Sequence, residues 1–104
     1  MIIHDSNRLS VSLILMQGSA EAQATLDLLE REDPELVIDD HETFWKITST
    51  KGHIEVDMER VSEELGVEIS LSQWLVILSS YIGRVHTEPG KFTLTSDVTE
   101  IHRT

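Results

Sequence analysis

A chain of 104 residues, 39% apolar and 26% charged, is the size of one domain with one core, and its formal charge of −11 leaves no cluster of Lys and Arg to meet phosphate, which excludes a nucleic-acid partner. The absence of cysteine excludes a disulfide framework, a zinc ribbon, a thiol nucleophile and a cysteine-held iron–sulfur cluster. The longest apolar run, Trp74 to Leu78, is too short to span a bilayer, and the start Met1-Ile2-Ile3-His4-Asp5 lacks the basic flank and apolar stretch of a signal peptide, so no membrane contact and a cytoplasmic location are the expectations.

Residues 1–8 show no period and read as a flexible tail, as do residues 97–104, leaving 9–96 as the domain. Ser10 to Met16 alternates Val11, Leu13 and Leu15 against Ser10, Ser12 and Ile14, the pattern of a strand with one buried face. After Gly18, Ser19 can cap a helix running to about Arg31, with Ala22, Leu26 and Leu29 on one face and Asp33-Pro34 ending it. Leu36–Asp39, Phe44–Thr48 and His53–Val56 read as strands, the last two joined by a turn at Ser49 to Gly52. Phe44 and Trp45 put large side chains on both faces of the middle strand. Asp57 can cap a short helix, Met58 to Leu65, that Gly66 ends in a left-handed conformation.

Ser70 and Gln73 form a capping box for a helix expected to run to Arg84. At about 100° per residue, Leu71, Trp74, Leu75, Leu78 and Ile82 make one stripe, assigned to the core, while Gln73, Val76, Ile77 and Ser80 fall opposite. A domain this short has little to lay over that second stripe. Either a neighbouring strand or loop covers Val76 and Ile77, or a partner does. Beyond Gly83, Arg84–Thr87 and Phe92–Thr95 pair around Glu88-Pro89-Gly90-Lys91, which suits a type II turn. The element order is strand, helix, three strands, two helices, two strands, an α+β pattern without repeats or low-complexity segments.

Charge decides between the two readings of the exposed stripe. Asp27 to Glu68 holds fourteen acids against four bases, whereas Ile69 to Thr104 holds three of each. Depletion of charge around an apolar patch is the signature of a protein-binding centre. An acidic shell keeps a protein soluble or steers it to a basic partner. Catalysis finds no foothold. His4, His41, His53, His86 and His102 include no i, i+4 pair to hold a metal, and adjacent acids such as Asp39-Asp40 and Glu63-Glu64 have no environment that would separate their pKa values. No GxGxxG, GxxxxGK or GxSxG motif occurs.

Ile38-Asp39-Asp40 before Thr43-Phe44-Trp45-Lys46-Ile47, then Gly52-His53-Ile54-Glu55-Val56-Asp57, Glu64-Leu65-Gly66, Ser79-Ser80-Tyr81-Ile82-Gly83-Arg84 and Lys91-Phe92-Thr93-Leu94-Thr95-Ser96, resemble in order and spacing the regulatory (coupling, effector) components of soluble multicomponent diiron monooxygenases. The methane-type members are nearest, and the phenol and toluene effectors more distant. The resemblance implies a cofactorless, non-catalytic α+β domain of two βαββ-like units with about three helices and six to seven strands. It also implies a diiron hydroxylase as partner, whose substrate and oxygen access and electron coupling the domain controls, the iron being the hydroxylase's. The hydroxylase-binding and gating residues would then be Gln73, Val76, Ile77, Ser79, Ser80, Tyr81, Gly83 and Arg84, with Phe44 and Trp45 as a second contact. Ile77 and Tyr81 stand where the family favours small polar groups. The methane-type members carry a long N-terminal extension, whereas the Met1 to Arg8 stretch before the first strand is expected to reach only about 25 Å. Reduced tail-dependent regulation and an alkene or alkane substrate are the expectations from that.

A competing reading is an acidic interaction module, antitoxin-like or a nucleic-acid mimic, which explains the charge but leaves the apolar stripe idle. A small-molecule binder would need a convergent polar pocket that the sequence does not offer. Weak homodimerisation of the free protein through the same stripe is compatible with either protein-binding reading.

Overall fold

The computed structural model describes residues 9–96; the expected tails, 1–8 and 97–104, lie outside the described residues. Strand β1 (Val11–Met16) buries Val11, Leu13 and Leu15 completely, as its alternation predicts. The Ser19 hydroxyl accepts the Ala22 N–H at 3.1 Å and starts α1 (Ala20–Glu32). Its buried stripe is wider than the expected Ala22, Leu26, Leu29 face, because Ala24, Thr25 and Leu28 are buried too. Strands β2 (Val37–Asp40), β3 (Phe44–Ser49) and β4 (His53–Asp57) follow. Asp57 caps α2 (Met58–Leu65) by accepting the Glu59 N–H at 2.9 Å, and Gly66 closes that helix at φ +89°.

Helix α3 is only Leu71–Leu75, opened by the complete Ser70–Gln73 capping box. Strands β5 (Leu78–Ile82), β6 (Arg84–Glu88) and β7 (Lys91–Thr95) are the last elements among the described residues, β6 and β7 joined by Pro89-Gly90 with Gly90 at φ +79°, as a type II turn requires. The helix expected through Arg84 is therefore corrected: its second half is a strand. Val76 and Ile77 N–H groups turn back onto the Gln73 and Trp74 carbonyls at 3.3 and 3.0 Å, after which the chain extends along β1. The residues after Leu75 are β-branched, serine, aromatic or glycine for most of their length, all weak helix formers. The open side of β1 offers them hydrogen bonds that an isolated helix end could not match. Ile82, assigned to the core stripe, is exposed in consequence; Leu75, also assigned there, is exposed at the end of α3, while Trp74 is fully buried.

Two units of identical topology emerge. In β1–α1–β2–β3 the strand order is β1-β3-β2, and in β4–α2–β6–β7 it is β4-β7-β6, every pairing antiparallel. Helix α3 and strand β5 are an insertion in the second unit, and β5 is given to the first, extending its sheet to β2-β3-β1-β5. The helices pack on one another and are tied by Arg31–Glu64 at 2.6 Å and by Arg60–Glu32. The core runs between the sheets and helices, from Leu13, Leu15 and Ile47 through Trp74 to Val56, Phe92 and Leu94. Trp74 joins the units: its indole N–H donates to Thr25 Oγ1 of α1 at 3.0 Å, and its ring lies 5.2 Å from Phe92 of β7. Among the described residues no helix is long and apolar enough to cross a membrane.

Candidate functional site

The eight expected docking residues do not share one helix face; they run from the α3 shoulder along the edge strand β5 and, with Gly83 and Arg84, past its end into β6. At the shoulder, Gln73 is exposed, but its side-chain oxygen already accepts the Ser70 N–H at 2.8 Å, so it serves the helix start. Val76 is 80% exposed. Ile77 is half-buried against the core, and its carbonyl accepts the Met16 N–H at 2.9 Å, which pins the corner to the end of β1.

Along β5 the register places Leu78 opposite Leu15, Ser80 opposite Ile14, Tyr81 opposite Leu13 and Ile82 opposite Ser12. Ser79 has no opposite number. It is the extra residue of a β-bulge, a device that re-aims side chains at sheet edges. Residues facing each other across an antiparallel pair point the same way, so Leu78 and Tyr81 lie on the core side with Leu15 and Leu13, and Ser80 and Ile82 lie on the outer side. Tyr81 is 46% exposed at this rim, with its ring edge-on to Phe92 at 6.4 Å. Ile82 is 57% exposed on the outer face, in a row with Ser12 and Thr48. The far end is fixed by Gly83 at φ +138°. A Cβ there would meet the Thr95 carbonyl at 2.9 Å and Val11 Cγ1 at 3.0 Å, so only glycine lets the chain leave one sheet and enter the other at once. Arg84 begins β6 opposite Thr95 and so stands past that corner, separated from Ile77 by the whole of β5.

The second expected contact divides. Trp45 faces inward opposite Leu15 and is buried in the core, which corrects its assignment as a contact residue. Phe44 faces outward opposite Met16, half-buried, stacked on His41 at 4.7 Å. Gln17 steadies this corner by donating to Asp40 Oδ1 at 2.8 Å and to the Phe44 carbonyl at 3.1 Å. The Glu42 N–H and that Gln17 amide together hold the Asp40 carboxyl below the usual carboxylate range. Met16 and Ile14, overlooked in the sequence because they sit on the outward face of a core strand, carry the outer surface continuously from Phe44 to Ser80. Their signal was present: a strand with apolar residues on both faces has a second face to cover.

No charged residue occurs between Ile69 and Ile82. Elsewhere Arg31, Lys51, Arg60 and Lys91 are paired with Glu64, Glu35, Glu32 and Glu55, so part of the acidic shell is neutralised within the domain. Hydrogen bonding and proximity to Lys51 and Arg31 lower the Glu35 and Glu64 carboxyls. The site therefore offers shape, apolar area and strand-edge hydrogen bonds rather than acid–base chemistry. Among the described residues no three His, Asp or Glu side chains are placed to hold a metal ion.

Comparison with known proteins bears on the family and the fold. Methane monooxygenase regulatory protein B of Methylosinus trichosporium is 34% identical over 106 residues, spanning 98% of this chain and 75% of the relative. The solved structure of the soluble methane monooxygenase regulatory protein B superposes with a TM-score of 0.68 at 32% identity, over 92% of this chain and 71% of that one. The regulatory protein seen in a phenol hydroxylase–regulatory protein complex gives 0.74 at 15% identity, over 85% and 99%, and shares the fold. With the family's sequence model matching residues 10–95, which contain both βαββ units and the α3–β5 insertion, the chain belongs to the MmoB/DmpM family.

Proposed function

We propose that this protein is a cofactorless regulatory component that binds a diiron hydroxylase and governs when substrate and oxygen reach the metal centre. The observation that carries the reading is the near full-length likeness to methane monooxygenase regulatory protein B, whose matching part includes the insertion that exposes Val76, Tyr81 and Ile82. The protein does no chemistry itself; the iron and the reducing equivalents belong to the partners. It acts from the cytoplasm, without nucleic acid or membrane. Regulation of this kind requires tighter binding to one state of the hydroxylase than to another, since equal affinity for all states shifts nothing.

In this reading the α3 shoulder provides the contact, and β5 together with Ile77 provides the gate. Ser79 and Ser80 present small polar groups, while Ile77 and Tyr81 narrow the entrance and favour small or flat hydrocarbons. The test is steady-state oxidation of a hydrocarbon series by hydroxylase and reductase with and without this protein. The expected result is a changed rate and a closer ratio of product formed to reductant consumed. A rate and ratio unchanged at saturating protein would overturn the reading.

A further inference from the structure

The two most exposed large apolar side chains among the described residues, Val76 at 80% and Val67 at 64%, stand on the walls of one groove. This groove, about 480 Å³, lies between the start of α1, the α2–α3 connection and the α3 shoulder. Leu65 and Ile77, each packed partly into the core, also line it, and Glu21 and Glu68 stand at its sides. Among the described residues no base reaches either carboxylate, whereas Glu32, Glu35, Glu55 and Glu64 each hold a cation of their own. Apolar walls with unneutralised negative charge beside them are complementary to one kind of occupant, an apolar side chain flanked by Lys or Arg.

Resting on the regulatory reading above, we infer that this groove receives a segment of the hydroxylase surface in which an apolar side chain is flanked by basic residues. The shoulder then docks while β5, continuous with it through Ile77, remains free to act on the substrate entrance. Docking falls to Val67, Val76 and the two carboxylates, gating to β5, and Ile77 is shared between them. The apolar walls govern how long the complex lasts. The two carboxylates govern how fast it forms.

The experiment measures association and dissociation of the full-length protein with its cognate diiron hydroxylase at low and high salt, alongside turnover. In the Val67→Ser, Val76→Ser double variant, dissociation is expected to quicken at least tenfold at both salt concentrations. In the Glu21→Gln, Glu68→Gln double variant, association is expected to slow several-fold at low salt and to match wild type at high salt. A control that removes two acids elsewhere, Asp39→Asn with Glu42→Gln, is expected to change neither rate by more than about twofold. Circular dichroism and buried-tryptophan fluorescence establish that all variants are folded. If wild type alters turnover but the groove variants bind as wild type does, the groove assignment is overturned and the regulatory reading stands. Equal slowing in the control and in the Glu21, Glu68 variant overturns the local role of those carboxylates. A wild-type protein that neither binds nor alters turnover overturns the regulatory reading, and the groove assignment with it.

Discussion

The two βαββ units share a strand order yet end in different circumstances. In the first, both sides of β1 are paired, by β3 in register over six residues and by β5 through a bulge. In the second, the corresponding strand β4 is paired by β7 alone among the described residues. The second unit has given its inserted strand away, and with it the exposed Tyr81 and Ile82. A repeated unit thus provides the stable frame, and the element that departs from the repeat provides the surface for a partner. The insertion can play that part because it is anchored in both units at its centre, through Trp74 and Phe92, while its outer residues stay in solvent.

Substitutions that strike the anchor should break this division most severely. Trp74→Ala removes a fully buried ring and leaves a cavity between the units, and should cost about 3–5 kcal/mol in chemical denaturation. A loss under about 1 kcal/mol would mean that the units hold together without the insertion. Gly83→Ala forces a Cβ against the Thr95 carbonyl at a φ that side chains resist, and an expected loss of about 1–3 kcal/mol should appear as a lower urea midpoint.

At the outer end of the insertion, stability and function should separate. Tyr81→Thr keeps the strand and removes a half-exposed ring, so stability should fall by about 1 kcal/mol or less while the preference between small and large hydrocarbons in the hydroxylase assay shifts. An unchanged preference at unchanged affinity would place the gate elsewhere. Ile77 does not allow so clean a test, because its side chain packs against the core and its carbonyl holds Met16.

The smallest effect concerns the helix layer. The Glu64 carboxyl lies below its ordinary value in the folded state because it accepts a hydrogen bond from Arg31. A lowered folded value means stability that is present above the ordinary carboxylate range and lost as pH falls through the lowered one. Glu64→Gln should therefore reduce the urea midpoint slightly at neutral pH, with the difference from wild type vanishing in acid. Because the pair is exposed, the effect is small. A gap between the two proteins that persists in acid would assign the loss to packing instead.

Elements announced by their own residues were legible in the sequence. Ser19, Asp57 and the Ser70–Gln73 box mark helix starts through hydrogen bonds to N–H groups two or three positions away, Gly66 marks a helix end, and Pro89-Gly90 a turn, all local events. The alternation of β1 likewise reports its buried face without knowledge of its neighbours. Composition excluded cysteine chemistry, the sequence carries no GxxxxGK motif, and the ordered motifs pointed to the family that residues 10–95 match. The fate of Leu78–Ile82 was decided only by tertiary structure. Its apolar spacing fits a helix as well as a strand, and the choice falls to the unpaired side of β1, more than sixty residues earlier. The same pairing leaves Ile82 exposed on the outer face, as the pairing of β1 with β3 turns Trp45 inward, because which face of a strand meets the core depends on which partner completes its hydrogen bonds.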